Sequence, residues 1–218
     1  MKVIITGSTG MVGEGVLLVC LQSSEVSEVL MINRRHNGLT HPKLKELIVP
    51  DFSNIGNYTD QLKGYDGCFF CAGVSSIGKD EATFYRLTFD VVVPFATILA
   101  QINPDMVFDY VSGRSTDTSE KGNVMWARVK GKTENTLHQL PFRKQYNFRP
   151  GFMKPVKGQK NVQSVIRVFE VLYPVLRPIF PNWACTMREV GIAMINSVSK
   201  GYSKTILEVD DIKTLAKQ

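Results

Sequence analysis

Seven residues near the start of the chain, Gly7-Ser8-Thr9-Gly10-Met11-Val12-Gly13, constrain its fold more than any other feature. They directly follow the apolar run Val3-Ile4-Ile5 and open a helical pattern that puts Val12, Val16, Leu17 and Cys20 on one side. Strand, glycine turn and helix in that order begin a parallel βαβ unit. Each glycine then has its own task. Gly7 allows a tight turn, Gly10 lets the backbone approach a diphosphate, and Gly13 lets the helix lie close to the sheet. The helix start offers unpartnered N–H groups and the positive end of the helix dipole, which together attract anions. The spacing is G-x-x-G-x-x-G rather than G-x-G-x-x-G, so its weight comes from its place between strand and helix.

The rest of the chain alternates short apolar runs with longer helical stretches, as a parallel sheet built from βαβ units requires. Strands are expected at residues 3–5, 29–33, 47–49, 68–71, 106–111, 146–149 and 205–209. The early ones lack apolar–polar alternation, which suits strands covered on both faces. Helices are expected at about 11–21, 81–102 and 125–139. Another opens at the capping box Thr186-Met187-Arg188-Glu189, runs to about 198, and closes at Gly201. The pattern predicts an α/β fold: a Rossmann-type doubly wound parallel sheet, one domain over residues 1–218, with a small C-terminal substrate or lid region. The apolar stretch from Val162 to Phe180 stands apart. Val162, Val165, Ile166, Phe169, Leu172 and Tyr173 keep helical spacing, and Pro174 and Pro178 break that spacing toward its C-terminal end. A core-facing helix is the plainest reading. A substrate lid, a subunit interface or a peripheral membrane contact are the alternatives.

Composition excludes more than it selects. With 218 residues, 44% apolar and 21% charged, the chain is long enough for a sizeable core and ordinary for a globular protein. The formal charge of +6 suits solubility or attraction of an anionic ligand. No block of basic residues suggests nucleic acid as a partner. There is no signal-peptide pattern and no uninterrupted apolar run of transmembrane length, so cytoplasm is the default expectation. Cys68 and Cys71 spell a C-x-x-C motif inside an expected strand. Residues three apart on a strand point to opposite faces, so small core residues are a better reading than a disulfide or a metal. His36, His41 and His138 are scattered without metal-ligand spacing, and no metal site is expected.

The end of the second strand bears on ligand type. An acidic residue there would bind a ribose 2′-hydroxyl and repel a 2′-phosphate. The chain has Asn33-Arg34-Arg35 instead. Two guanidinium groups after a neutral residue suit a 2′-phosphate, favouring NADP(H) over NAD(H). Two solvated surface arginines are the plainer alternative.

Ile5-Thr6-Gly7-Ser8-Thr9-Gly10-Met11-Val12-Gly13, Phe70-Cys71-Ala72-Gly73, Val111-Ser112-Gly113 and Arg149-Pro150-Gly151 together resemble the short-chain dehydrogenase/reductase superfamily. More narrowly, they resemble its atypical NAD(P)-binding, epimerase/dehydratase-like branch, and the compact length with the stretch from Met125 to Asn135 also resembles small bacterial members and the Tat-interacting oxidoreductase-like proteins. The likeness implies that Cys71, Ala72 and Gly73 line a cofactor cleft, that Asp51 lies near the adenine, and that Pro150 and Gly151 flank the nicotinamide. It also implies that Ser112 orients a substrate oxygen and that Lys130 holds the nicotinamide ribose. Both are candidate catalytic residues.

The resemblance breaks at one position. The family's Tyr-x-x-x-Lys reads Trp126-Ala-Arg-Val-Lys130 here. A phenol with a pKa of about 10 can be tuned toward neutrality, whereas an indole N–H has no useful acidity. General acid–base catalysis needs the former, so Trp126 is expected to stack or to shape a substrate pocket. Tyr110, Tyr85, or water working through Ser112 and Lys130 are the conceivable substitutes, and Arg114 and Arg128 are candidate anion contacts. Two functions fit these residues. One is an oxidoreductase or epimerase acting on an unidentified carbonyl-containing small molecule. The other is a non-catalytic dinucleotide-binding regulator or scaffold. Both fit a monomer or a homodimer.

Overall fold

The computed structural model describes residues 1–162, Tyr173 and residues 182–218. Most of the stretch from Val162 to Phe180, and with it the expected helix and its alternatives, therefore lies outside the described residues. Seven parallel strands form the main sheet, built on β1 (Lys2–Thr6), β2 (Glu28–Asn33), β3 (Leu44–Ile48), β4 (Gly67–Phe70), β5 (Val107–Val111) and β6 (Lys144–Phe148). Two short strands, β7 (Phe152–Lys154) and β8 (Ala184–Thr186), pair in parallel with each other, and β9 (Ile206–Leu207) completes the main sheet. The main-sheet order is β3-β2-β1-β4-β5-β6-β9. Between β1 and β4 the strand order reverses, which opens a crevice at the C-terminal strand ends.

Helices cover both faces, so the inner strands β1, β2 and β4 are buried almost from end to end. Val3 and Ile5 face the layer of α1 (Met11–Gln22) and two C-terminal helices, while Ile4 faces the opposite layer. That opposite layer contains α2 (Thr59–Leu62), α3 (Glu81–Ile102) and α4 (Met125–Leu137). The C-terminal pair is α5 (Met187–Ser199) and α6 (Val209–Leu215). Among the described residues, α3 alone is long and apolar enough to cross a membrane by length and composition. It packs on the sheet instead: Val92, Phe95, Ala96 and Leu99 are buried, and the Phe95 ring meets Phe70 edge-on at 5.2 Å. Cys68 and Cys71 lie on opposite faces, as the strand geometry requires.

Most expected elements appear with ends shifted by one to three residues. The capping box forms as the sequence predicts: Thr186 Oγ1 accepts the Glu189 N–H, and the Glu189 carboxylate accepts the Thr186 N–H. Gly201 closes α5 at φ +74°, its N–H donating to the Asn196 carbonyl. One expectation is corrected. The strand at 205–209 shrinks to β9, and Val209 starts a helix instead. Glu208 caps that helix and Asp211 returns the bond to the Glu208 N–H, so local carboxylate capping outweighs the β-branched run.

A buried ion pair ties α4 to the end of β6. Arg149 donates from Nε and Nη2 to the Glu134 carboxylate, and Glu134 is only 1% exposed. Removing one partner of such a pair strands a charge in the core and costs about 3–5 kcal/mol. Arg149→Met is therefore expected to destabilise the protein by about that amount in urea unfolding, and Arg149→Met with Glu134→Leu to recover most of it. Equal losses in the single and double variants would contradict this.

Candidate functional site

Parallel strands bring their C-terminal ends to one edge, and the glycine turn occupies the reversal point of that edge. Gly7 has φ +72°, and a Cβ on it would sit 2.6 Å from the backbone of Ala72. A Cβ on Gly13 would sit 2.2 Å from the Gly7 carbonyl oxygen. Any side chain at either position pushes the turn away from β4 or the helix away from the turn. The Gly10 N–H donates to the Gly7 carbonyl at 2.9 Å. The first bond of α1 runs from the Glu14 N–H to the Gly10 carbonyl at 3.0 Å, and no side chain caps the helix. The N–H groups of Met11, Val12 and Gly13 thus precede the first intrahelical bond and head the helix dipole. Thr6 joins this floor, its Oγ1 accepting the Ala72 N–H at 3.2 Å. Beyond it, Cys71 and Ala72 are half-buried and Gly73 is exposed.

A second group gathers at the end of β2. Ser8 is buried and donates its hydroxyl to Asn33 Oδ1 at 2.7 Å, joining the glycine turn to the next strand. Asn33 Nδ2 donates to Glu46 at 3.0 Å, so both ends of its amide are fixed. Glu46 was not legible as a site residue, because β3 gives no local sign that its side chain reaches across to β2. Partial burial opposes its charge, but donors from His36, Asn33 and Asn37 hold its carboxyl below the usual range. Arg34 and Arg35 are exposed, with no ion pair among the described residues. Asp51 is also exposed and caps the turn of residues 52–58 by accepting the Ser53 N–H at 2.9 Å.

A third group lies at the ends of β5 and β6. Ser112 is 1% exposed, and its hydroxyl donates to the Phe148 carbonyl at 3.3 Å. Lys130 Nζ donates to the Ser112 carbonyl, so the two candidate catalytic residues meet through the backbone of one and the side chain of the other. Burial pushes the Lys130 ammonium down to about 8, with Glu134 opposing the shift. Trp126 is half-buried in the first turn of α4, one helical turn before Lys130. Pro150 is buried and its carbonyl accepts the Arg114 N–H at 3.0 Å. Gly151 packs so closely that a Cβ would lie 2.3 Å from the Trp183 carbonyl.

The substitutes for the missing phenol fare poorly. Tyr110 is 2% exposed beside Phe70, and burial, with Glu134 adding to it, drives its hydroxyl far above its ordinary pKa. Tyr85 stacks on Phe89 at 4.7 Å and lies under Lys132. Arg128 is held by Glu81 and by the Gly122 carbonyl. Arg114 lies 4.2 Å over the Trp183 ring and donates to the Asn182 carbonyl. Both arginines have structural partners that their sequence neighbourhoods do not announce.

No protein-family model matches the chain. Protein HTATIP2 of Rattus norvegicus is 28% identical over 154 residues, 70% of this chain and 62% of that protein, so the match spans less than two-thirds of that relative. The enzyme WbmH of Bordetella bronchiseptica, solved in complex with NAD+, superposes with a TM-score of 0.66 at 16% identity, covering 91% of this chain and 72% of that one. A short chain dehydrogenase family protein of Francisella tularensis also gives 0.66, at 14% identity and 98% coverage of both chains. These two likenesses are likenesses of fold.

The Lys130 environment has a measurable consequence. With its pKa lowered to about 8 from 10.5, the folded chain releases this proton before the unfolded chain does. Between those values the unfolded state holds more protons, so Lys130 adds stability as pH rises. Urea unfolding from pH 7.5 to 10.5 is expected to show wild-type stability rising relative to Lys130→Met across this window. A flat difference would mean that the ammonium is well solvated.

Proposed function

We propose that this chain, an atypical short-chain dehydrogenase/reductase of the NAD(P)-binding, epimerase/dehydratase-like branch, binds NADP(H) in preference to NAD(H) and acts on a carbonyl-containing small molecule. The observation that carries the proposal is the uncapped start of α1 above a turn in which Gly7 and Gly13 leave no room for a Cβ. In this reading the turn from Gly7 to Gly13 holds the diphosphate. Asn33, Arg34 and Arg35 meet the adenosine end, and the exposed guanidinium groups supply paired donors for a 2′-phosphate. Asp51 belongs at the adenine rim. Cys71, Ala72 and Gly73 wall the crevice, and Pro150 and Gly151 bound the nicotinamide end. The WbmH complex with NAD+ supports a nicotinamide dinucleotide in a crevice of this fold.

A bound nicotinamide supplies the hydride, and the rest falls to the chain. Ser112 orients the substrate oxygen by turning its hydroxyl from the Phe148 carbonyl toward the crevice. Lys130, brought to about 8 by burial, has a pKa near working pH and holds the transferable proton at Nζ. Water between Nζ and the substrate oxygen replaces the phenol that Trp126 does not provide, while the Trp126 indole shapes the substrate wall. Trp126 also favours a second reading, a dinucleotide-binding regulator without turnover, because the missing phenol is the group most reductases of this family need.

Anaerobic mixing with NADPH and a panel of carbonyl compounds separates the two readings. Oxidation of NADPH that is lost in Ser112→Ala and in Lys130→Ala supports the enzyme. Tight binding with no oxidation supports the regulator. Arg34→Ala with Arg35→Ala is expected to weaken NADPH binding by about tenfold or more, the scale of a lost charge-assisted contact, while sparing NADH. Equal losses for both nucleotides would remove the 2′-phosphate assignment. Trp126→Tyr is expected to raise reductase activity if the missing phenol limits the rate.

A further inference from the structure

Glu14 sits in the first turn of α1, immediately after the last glycine of the turn. Its carboxylate is nearly buried, with the residue 9% exposed, and accepts the N–H of Lys160 at 2.8 Å and of Asn161 at 2.6 Å. Beside it, Gln159 Nε2 donates to the Met11 carbonyl at 2.6 Å, and Gln159 Oε1 accepts the Val156 N–H at 3.3 Å. A Cβ on Gly15 would meet that same Oε1 at 3.1 Å. Residues 156–161 are therefore fastened to the opening turn of α1 across almost 150 positions of sequence. Helix formation does not require this. A first-turn carboxylate already favours a helix when it faces water. Here it is drawn out of water and recompensed by two charge-assisted bonds to the loop.

The fastened loop is basic. The run Lys154-Pro-Val-Lys157-Gly-Gln-Lys160 carries three lysines, of which Lys157 and Lys160 are exposed. The backbone N–H of Lys160 is itself one of the bonds to Glu14, so the attachment holds the backbone of this lysine against the first turn of α1. A carboxylate next to a diphosphate would repel it. Two amide donors engage that carboxylate, and the loop they belong to carries two exposed lysines.

We propose that residues 156–161 form a second wall of the dinucleotide pocket, held by Glu14 and Gln159 and presenting Lys157 and Lys160 to the phosphates. The inference rests on the dinucleotide reading above. Glu14 is a positioning residue in it, because it acts through the loop. The wall also joins the nucleotide site to β7, at the start of the C-terminal substrate region.

Full-length wild type, Glu14→Gln and the pair Lys157→Ala with Lys160→Ala test it. Without nucleotide, trypsin is expected to cut after Lys157 and Lys160 several-fold faster in Glu14→Gln than in wild type. Calorimetry is expected to give Kd values for NADPH and NADH that rise by the same factor in Glu14→Gln, about tenfold for loss of a charge-assisted attachment. The lysine pair, on exposed positions that leave the fold intact, is expected to weaken both nucleotides together as well. A merely structural role would lower the unfolding midpoint of Glu14→Gln and leave both Kd values unchanged, and that result overturns the proposal. Unchanged affinity in the lysine variant overturns it too, and decides the matter if Glu14→Gln does not fold. A wild type that binds neither nucleotide removes the dinucleotide reading and this proposal together, whereas binding that the variants do not alter removes only this proposal.

Discussion

The contact between the Gly7 carbonyl and the bare α-carbon of Gly13 governs the rest of the site. At 2.2 Å from where a Cβ would be, that oxygen leaves no room for any side chain. The closeness lets α1 begin almost on top of β1, with its first amides at the crevice and no side chain capping them. Steric exclusion and electrostatics are linked here. The lack of a Cβ at Gly7 and Gly13 permits the close approach, and the uncapped N–H groups make the site attractive to an anion.

Parallel pairing extends the effect. Because each strand of the main sheet runs the same way, the ends of β1, β2, β4, β5 and β6 collect the turn, Asn33, Cys71 to Gly73, Ser112 and Pro150 along one edge. Buried polar contacts fix their places. Ser8 locks Asn33, Lys130 locks the Ser112 carbonyl, and Arg149 locks α4 to the end of β6. Each locked group is buried or half-buried, so each would be costly to leave without a partner.

Much of this is legible in local signals. The apolar runs of the inner strands, the glycine turn and the Thr186–Glu189 capping box depend on neighbours within a few residues, and they can be read directly. The α6 helix is harder, because Ile206, Leu207 and Val209 look like a strand, while the deciding bonds come from Glu208 and Asp211. β7 and β8 are three residues each, too short to show a period. Other features depend on distant partners. Nothing near Glu46 announces Asn33, nothing near Arg128 announces Glu81, and nothing near Glu14 announces Lys160. Trp126 is legible as a chemical exception. The lowered pKa of Lys130 is not, because burial is a property of the fold.

The amide signals of Met11, Val12 and Gly13 in a nitrogen-15 NMR titration with NADPH test the central claim most directly. The account predicts large, saturable shifts at these three amides, with the same midpoint as shifts at Arg34 and Arg35. Saturable binding that leaves these amides unmoved, or no binding at all to the folded protein, would contradict it.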